Sequence, residues 1–322
     1  MNKVVLIIPF YGRLPWYFNF FLKSLDGRAF DVLFVSDLSP ENKPENFRQL
    51  SMDFKTLNAL INSKLGCNLE LKNTYKLCDF KPMYGKIFED YIKGYEYWAF
   101  GDCDLVYGTK MDCVLKTLCE DIWDVASLRN KWISGSFCLM RNVSAVNTLY
   151  KRVRTLSRML ASDKCVQFDE LGGQWFDALL QGAITIEECE KSCDSFTAAV
   201  WRSKDIRFFH EDIICEDPIL DRYVEMKDGQ LFLDGDEIPV FHFINAKHGG
   251  YFYGKSIPYD VIGSYRIDNT GFYISSVEWR LRALVSRVRK VRLHFKWYRD
   301  MVQQRGIVSL IRHFLSRLVG NK

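Results

Sequence analysis

Apolar residues open the chain in a near-continuous run, Val4-Val5-Leu6-Ile7-Ile8-Pro9, the pattern of a strand covered on both faces. An aromatic-rich segment follows from Pro15 to Leu25, with Trp16 and Phe20, and predicts a helix that ends at Asp26-Gly27. A second strand is predicted over Asp31–Ser36, closing on Asp37 and the turn residues Ser39-Pro40. Strand, helix and strand in this order read as a βαβ unit. Apolar positions 80, 84, 87, 88 and 91 then follow helical spacing, with Asp79 as the expected N-cap and Gly94 just past the end. A further hydrophobic strand, Tyr95 to Phe100, delivers Gly101-Asp102-Cys103-Asp104. The first hundred residues thus read as half of a doubly wound α/β sheet.

The pattern is less regular afterwards. A strand is expected over Ser134–Met140 and a basic helix over Val143–Leu160. Phe168-Asp169-Glu170-Leu171-Gly172-Gly173 reads as a loop before a helix at Gln174–Leu180, and Lys227-Asp228-Gly229-Gln230 as a hairpin turn. A late strand, Val240–Ile244, leads into a loop with Lys247 and His248. Beyond about residue 275, Val277, Leu281, Leu284, Val285, Val288 and Val291 mark one helical face with arginines around the other. The division this suggests is an α/β domain over residues 1–270 and an amphipathic helical tail over 271–322.

Charge sharpens that division. The net charge is only +4, but residues 278–322 hold 12 basic and 2 acidic residues, a net of +10, which leaves −6 on residues 1–277. An apolar share of 48% and a charged share of 26% exclude wholesale disorder and a coiled-coil rod. The 10 cysteines include no C-x-x-C pair and have no histidine cluster beside them, so buried free thiols are expected, with a zinc site the remote alternative. No apolar stretch reaches the roughly 18 residues a spanning helix needs, and the opening run is too short for a signal segment. The expected location is the cytoplasm.

Two D-x-D triplets occur, Asp102/Asp104 and Asp234/Asp236. The second lies between short hairpin-like strands with a glycine in the middle, and reads as a turn. The first stands at the C-terminal end of a hydrophobic strand, where open α/β sheets place their ligands. Two carboxylates at i and i+2 leaving a strand can hold one hard divalent cation, which can bridge the phosphates of a nucleotide diphosphate; a solvated turn is the plain alternative. Upstream, Lys72, Lys76, Lys81 and Lys86 surround a predicted helix start and make an anion-attracting surface there.

Lys76-Leu77-Cys78-Asp79-Phe80-Lys81-Pro82 with Tyr84-Gly85, followed by Tyr97-Trp98-Ala99-Phe100-Gly101-Asp102-Cys103-Asp104-Leu105, resembles a bacterial glycosyltransferase family. That family is encoded with capsule, O-antigen and lipopolysaccharide genes, and belongs to the GT-A nucleotide-diphospho-sugar transferase superfamily. Ile7-Ile8-Pro9-Phe10-Tyr11-Gly12 and Ser36-Asp37 resemble it too, and Phe168-Asp169-Glu170, His242 and Lys247-His248 are weaker echoes. The resemblance spans roughly residues 3–255. It implies a GT-A type, Rossmann-like mixed sheet flanked by helices, and transfer of a hexose from a UDP-sugar to a growing lipid-linked surface glycan. It also implies that Pro9, Phe10, Tyr11 and Asp37 line the base and ribose, Phe10 and Tyr11 being equally suited to the core. Lys76, Asp79 and Lys81 would contact the donor, and Asp102 and Asp104 would engage Mn²⁺ or Mg²⁺ with His242 completing the shell. Lys247 or His248 would neutralise the leaving diphosphate, and Asp169 and Glu170 would stand on the acceptor side, unless they cap the following helix.

Two other functions fit parts of the sequence. A sugar nucleotidyltransferase would use the same metal chemistry, but usually carries a glycine-rich N-terminal loop where this chain has Pro9-Phe10-Tyr11-Gly12-Arg13. A non-catalytic glycan-binding or scaffolding subunit would use the abundant aromatics as sugar platforms. The tail suits a helix lying on anionic phospholipid at the inner face of the cytoplasmic membrane, or else packing on the domain or on a second subunit. No nucleic-acid module accompanies its basic residues.

Overall fold

The opening apolar run forms β1 (Val4–Pro9), and its side chains alternate between two separate cores. Val5 and Ile7 enter one core with Leu33, Val35, Trp98 and Phe100. Val4, Leu6 and Ile8 enter the other with Val32, Phe34, Tyr97 and Ala99. A strand buried on both faces has no polar alternation, which explains its unbroken hydrophobicity. The structure is a computed structural model that describes residues 3–171, 175, 178–179, 181–192, 194–216, 222–243, 257–268, 271–274, 277, 281 and 284.

β1 pairs in parallel with β2 (Asp31–Ser36), which continues to β3 (Phe47–Ser51), and on its other side with β4 (Tyr97–Gly101). Helix α1 (Phe18–Ser24) connects β1 to β2, and α2 (Phe54–Leu65) follows β3. The predicted βαβ unit is therefore present, with β3 and α2 added where no expectation stood. The sheet turns mixed beyond β4. With β5 (Leu105–Tyr107) set aside in another sheet, β6 (Val125–Ser127) and β7 (Phe137–Arg141) run antiparallel to each other, and β8 (Phe208–His210) closes the order β3-β2-β1-β4-β7-β6-β8. The result is a central mixed sheet flanked by helices, the predicted architecture.

Two smaller sheets complete it. β9 (Cys215–Glu216) and β5 lie on either side of β13 (Val240–His242). β10 (Val224–Lys227), β11 (Gln230–Leu233), β12 (Asp236–Ile238), β14 (Tyr265–Asp268) and β15 (Gly271–Tyr273) form an antiparallel five-stranded sheet. The Lys227–Gln230 hairpin is as predicted, and the second D-x-D is the β11–β12 turn, with Asp234 paired to Arg222 at 2.8 Å. β15 pairs with β14 and stacks Phe272 on Phe20 at 3.8 Å. Of the tail beyond Ile274 only Val277, Leu281 and Leu284 are described, all helical; the rest lies outside the described residues. Among the described residues, no helix is long and apolar enough to cross a membrane.

Two helix expectations need correction. The chain over 74–83 is a 3₁₀ helix, followed by only one α-turn, α3 (Tyr84–Ile87), so Asp79 lies inside a helix rather than capping one. A ten-residue 3₁₀ run is unusual and needs tertiary support. Pro82, which has no N–H to give, stands within it. The expected helix over 143–160 is broken into Ser144–Asn147, a 3₁₀ turn Leu149–Arg152 and Leu156–Leu160. Val153 is extended there, and the Asp194 carboxylate accepts from the N–H groups of Arg154 and Thr155, which restarts the chain in a new direction.

Close packing fixes the position of α3, directly after the 3₁₀ segment. A Cβ on Gly85 would sit 2.3 Å from the indole of Trp98, a fully buried ring whose N–H donates to Asn147 at 2.7 Å. Gly85→Ala is expected to cost about 1–3 kcal/mol, read as a lowered denaturant midpoint with an unchanged slope.

Candidate active site

The C-terminal ends of β1, β2 and β4 lie side by side, and the D-x-D leaves the last of them. The Asp102 N–H donates to Ser136 O at 3.1 Å, which fixes the turn out of β4. β5 then pairs with β13 so that His242 stands opposite Leu105, and the Phe243 N–H donates to Asp104 O at 3.3 Å. This register brings a residue 138 positions downstream against the motif: His242 Nε2 lies 3.3 Å from Asp104 Oδ1.

Asp102, Asp104 and His242 each turn a ligand atom into a common space, all within 4.8 Å of one another. Oxygen from two carboxylates and nitrogen from one imidazole is a donor set suited to Mn²⁺, and through its oxygens to Mg²⁺. Neighbouring donors around an octahedral ion of this size stand roughly 3 Å apart, close to the Asp104–His242 separation. The residues therefore fit the group. Burial works against a charged His242, but its hydrogen bonds to Asp104 and Glu216 prevail and push its pKa up to about 9.

Lys81 joins this group to a second one. Its Nζ, nearly buried, donates to Asp102 Oδ1 at 2.9 Å and to Gly135 O at 2.8 Å, and lies 3.5 Å from Asp169 Oδ2. Burial opposes the ammonium, yet Asp102 and Asp169 hold its pKa well above the ordinary lysine value. Glu170 Oε1 accepts from the Gly135 N–H at 3.1 Å. Asp169 and Glu170 turn toward Lys81 and Gly135, and the start of the helix expected at Gln174 lies outside the described residues. Burial raises both carboxyl pKa values; Lys81 counters it at Asp169 and the Gly135 N–H at Glu170. A Cβ on Gly135 would stand 2.7 Å from Asp169 Oδ2 and 3.0 Å from Glu170 Oε1, so the close approach of the two acids depends on glycine there.

Lys76 and Asp79 are placed differently from expectation. They are 2% and 1% exposed, and pair with each other at 2.8 Å inside the fold. Lys76 also donates to the carbonyls of Met159 and Lys164, and Asp79 accepts from the N–H groups of Val166 and Phe168 and from the Cys165 thiol. Their charges thus clamp the 159–168 segment, just ahead of Asp169. The other lysines of the expected anion-attracting surface are spent elsewhere: Lys72 pairs with Asp163 and Lys86 with Glu89.

Of the nucleotide-side residues, Pro9 is half-buried and Asp37 exposed at the ends of β1 and β2. Phe10 stacks on Phe34 with centroids 6.2 Å apart, and Tyr11 packs edge-on against Phe54 at 5.3 Å. Lys247 and His248 lie outside the described residues. The nine cysteines that are described are free thiols, but only Cys103, Cys138 and Cys189 are buried and Cys113 is exposed. Sequence reasoning missed Glu216, Arg129 and Gly135, which no local pattern marks; each reaches the site only through strand pairing or a loop crossing. A separate cavity of about 340 Å³ opens between Lys23, Arg28, Met226 and Tyr265 and shares no residue with the site.

A site of this kind, a carboxylate–carboxylate–imidazole group beside a lysine-bridged acid pair at the ends of parallel strands, suits a ligand with a metal-bridged anion. The chain belongs to the family of unknown function DUF6625, whose model matches residues 6–242. Solved structures similar to it include mouse xyloside xylosyltransferase 1 in its apo form, 10% identical over 68% of this chain and 88% of that one, with a TM-score of 0.37. A search of curated proteins finds no match.

Proposed function

We propose that this protein is a metal-dependent glycosyltransferase of the GT-A type, which moves a hexose from a UDP-sugar to a growing lipid-linked bacterial surface glycan, a capsular polysaccharide or O-antigen. The observation that carries the reading is the convergence of Asp102, Asp104 and His242 at the edge of the parallel strands. These three would hold Mn²⁺ or Mg²⁺, which when bound neutralises charge on the diphosphate as the glycosidic bond breaks. Lys81 keeps Asp102 oriented and adds a fixed positive charge beside it. Pro9, Phe10, Tyr11 and Asp37 would line the nucleotide slot, and Lys247 or His248, which lie outside the described residues, would neutralise the leaving diphosphate. Lys76 and Asp79 are paired inside the fold, where they hold the segment ahead of Asp169. Asp169 and Glu170 face the acceptor hydroxyl, and their raised pKa values bring a carboxylate nearer the range in which it can take a proton at neutral pH.

The tail beyond residue 274 docks the catalytic domain on the anionic inner face of the cytoplasmic membrane. Support comes from its net +10 over residues 278–322 and from Val277, Leu281 and Leu284, which are helical and exposed. Full-length protein is expected to co-sediment with phosphatidylglycerol vesicles, and a chain ending at Ser275 to stay in the supernatant; equal sedimentation would end the membrane role.

The test of the activity is release of UDP from a panel of UDP-hexoses, in Mn²⁺ and in excess chelator. Metal-dependent release supports the reading. Pyrophosphate release from UTP and a sugar phosphate would make the protein a nucleotidyltransferase instead. Calorimetric binding of a glycan with none of UDP would make it a binding subunit.

A further inference from the structure

His242 is gripped on both ring nitrogens. Nε2 faces Asp104 at 3.3 Å, and Nδ1 lies 3.0 Å from Glu216 Oε1 on the opposite side of the ring. The second contact follows from strand register: β9 runs parallel to β13 and sets Glu216 directly beside His242. The other carboxylate oxygen of Glu216 pairs with Arg129 Nη2, so the acid is itself held from behind. Arg129 is anchored in turn, since its N–H donates to Ser127 Oγ at 3.2 Å and its guanidinium lies 3.9 Å from Asp212. The Asn130 N–H donates to Asp212 at 3.1 Å, which ties this turn to the segment leading into β9. A chain of four side chains, Arg129–Glu216–His242–Asp104, therefore runs from a half-buried salt bridge to the D-x-D.

Glu216 stands outside the group whose ligand atoms converge, which is Asp102, Asp104 and His242. A carboxylate that accepts from one imidazole nitrogen fixes the proton there, and leaves the lone pair of the other nitrogen pointing away from it. Here that other nitrogen, Nε2, faces Asp104 at 3.3 Å, and a divalent cation between the two would displace its proton and take up its lone pair. We infer that Glu216, braced by Arg129, is a positioning residue that holds the His242 ring and tautomer so that Nε2 faces a divalent cation shared with Asp102 and Asp104. The inference rests on the metal reading proposed above and assigns residues which that reading does not use. A salt bridge with a purely structural purpose would need no histidine at its end, and would not require that the imidazole be aimed.

The test is Mn²⁺ titration by calorimetry on full-length protein without nucleotide, with pulsed electron paramagnetic resonance of the bound Mn²⁺ to read coupling to a directly coordinated ¹⁴N. Wild type is expected to bind one Mn²⁺ with clear ¹⁴N coupling. Glu216→Ala should weaken Mn²⁺ binding by about 10–100-fold and diminish the nitrogen coupling. Glu216→Gln, which keeps an oxygen to accept from Nδ1–H but loses the charge, should fall between them, and covers the case in which the alanine variant folds poorly. Metal-free thermal midpoints taken alongside separate a loss of fold from a loss of aim. Wild-type binding with affinity and ¹⁴N coupling unchanged in both variants would overturn the role of Glu216 while leaving the metal reading intact. Failure of the wild type itself to bind Mn²⁺ would overturn the metal reading, and this role with it.

Discussion

Asp104→Ala is expected to lower metal-dependent turnover of a UDP-hexose by about 10³-fold, with little change in the weak metal-independent rate. Asp104 is the buried member of the D-x-D and the carboxylate that meets His242. Asp102 cannot replace it, because one of its oxygens is already engaged by Lys81 at 2.9 Å. Removing Asp104 also leaves His242 facing a void in place of an anion, so the imidazole loses both its neighbour and the cation it would share. The second D-x-D supplies the control. Asp234 sits in a hairpin turn and pairs with Arg222 at the surface, so Asp234→Ala should leave turnover unchanged. Rates of UDP release at saturating Mn²⁺ check both. An Asp104→Ala variant as active as wild type would remove the metal group from the mechanism.

The second large effect is on stability. Asp79→Ala is expected to destabilise the protein by about 3–5 kcal/mol, because it strips the partner from a buried ammonium and leaves buried N–H donors without an acceptor. The N–H groups of Val166 and Phe168 both end on this carboxylate, as does Lys76. Lys76→Met should cost less: Asp79 then loses its cation but keeps those N–H donors. Urea unfolding followed by tryptophan fluorescence measures both, and a smaller loss for Asp79→Ala than for Lys76→Met would contradict the clamp. Because the clamped segment ends where Asp169 begins, the same variant should also raise mobility around the acid pair, seen as faster amide exchange over residues 165–170.

That pair shows where reading the sequence stops. Lys76, Asp79 and Lys81 stand in one charged block, yet only Lys81 reaches the site, while the other two pair inside the fold. Sequence spacing could not separate them, because the expected helix starts only after Asp79, whereas a 3₁₀ helix from Thr74 sets Lys76 and Asp79, three apart, on one edge. The strands were readable where burial leaves no alternation, as in β1 and β2, and where turn chemistry is explicit, as at Asp228-Gly229. The D-x-D was readable from its place at a strand end. His242 could be suspected, but its meeting with Asp104 depends on an antiparallel pairing between β5 and β13 across more than a hundred residues. Glu216 and Arg129 had no local signature at all, being brought in by a two-residue strand and a turn. Long-range pairing thus decided which of many polar residues became neighbours.

Under the proposed function, Asp102, Asp104 and His242 bind one cation that also holds a nucleotide diphosphate. Its most direct test is a crystal of the protein grown with Mn²⁺ and UDP, with diffraction recorded near the manganese edge. One strong anomalous peak is expected within bonding distance of Asp104 and His242, in contact with the diphosphate, with the uracil lying toward Pro9 and Asp37. UDP bound elsewhere, or an anomalous peak away from these three residues, would contradict it.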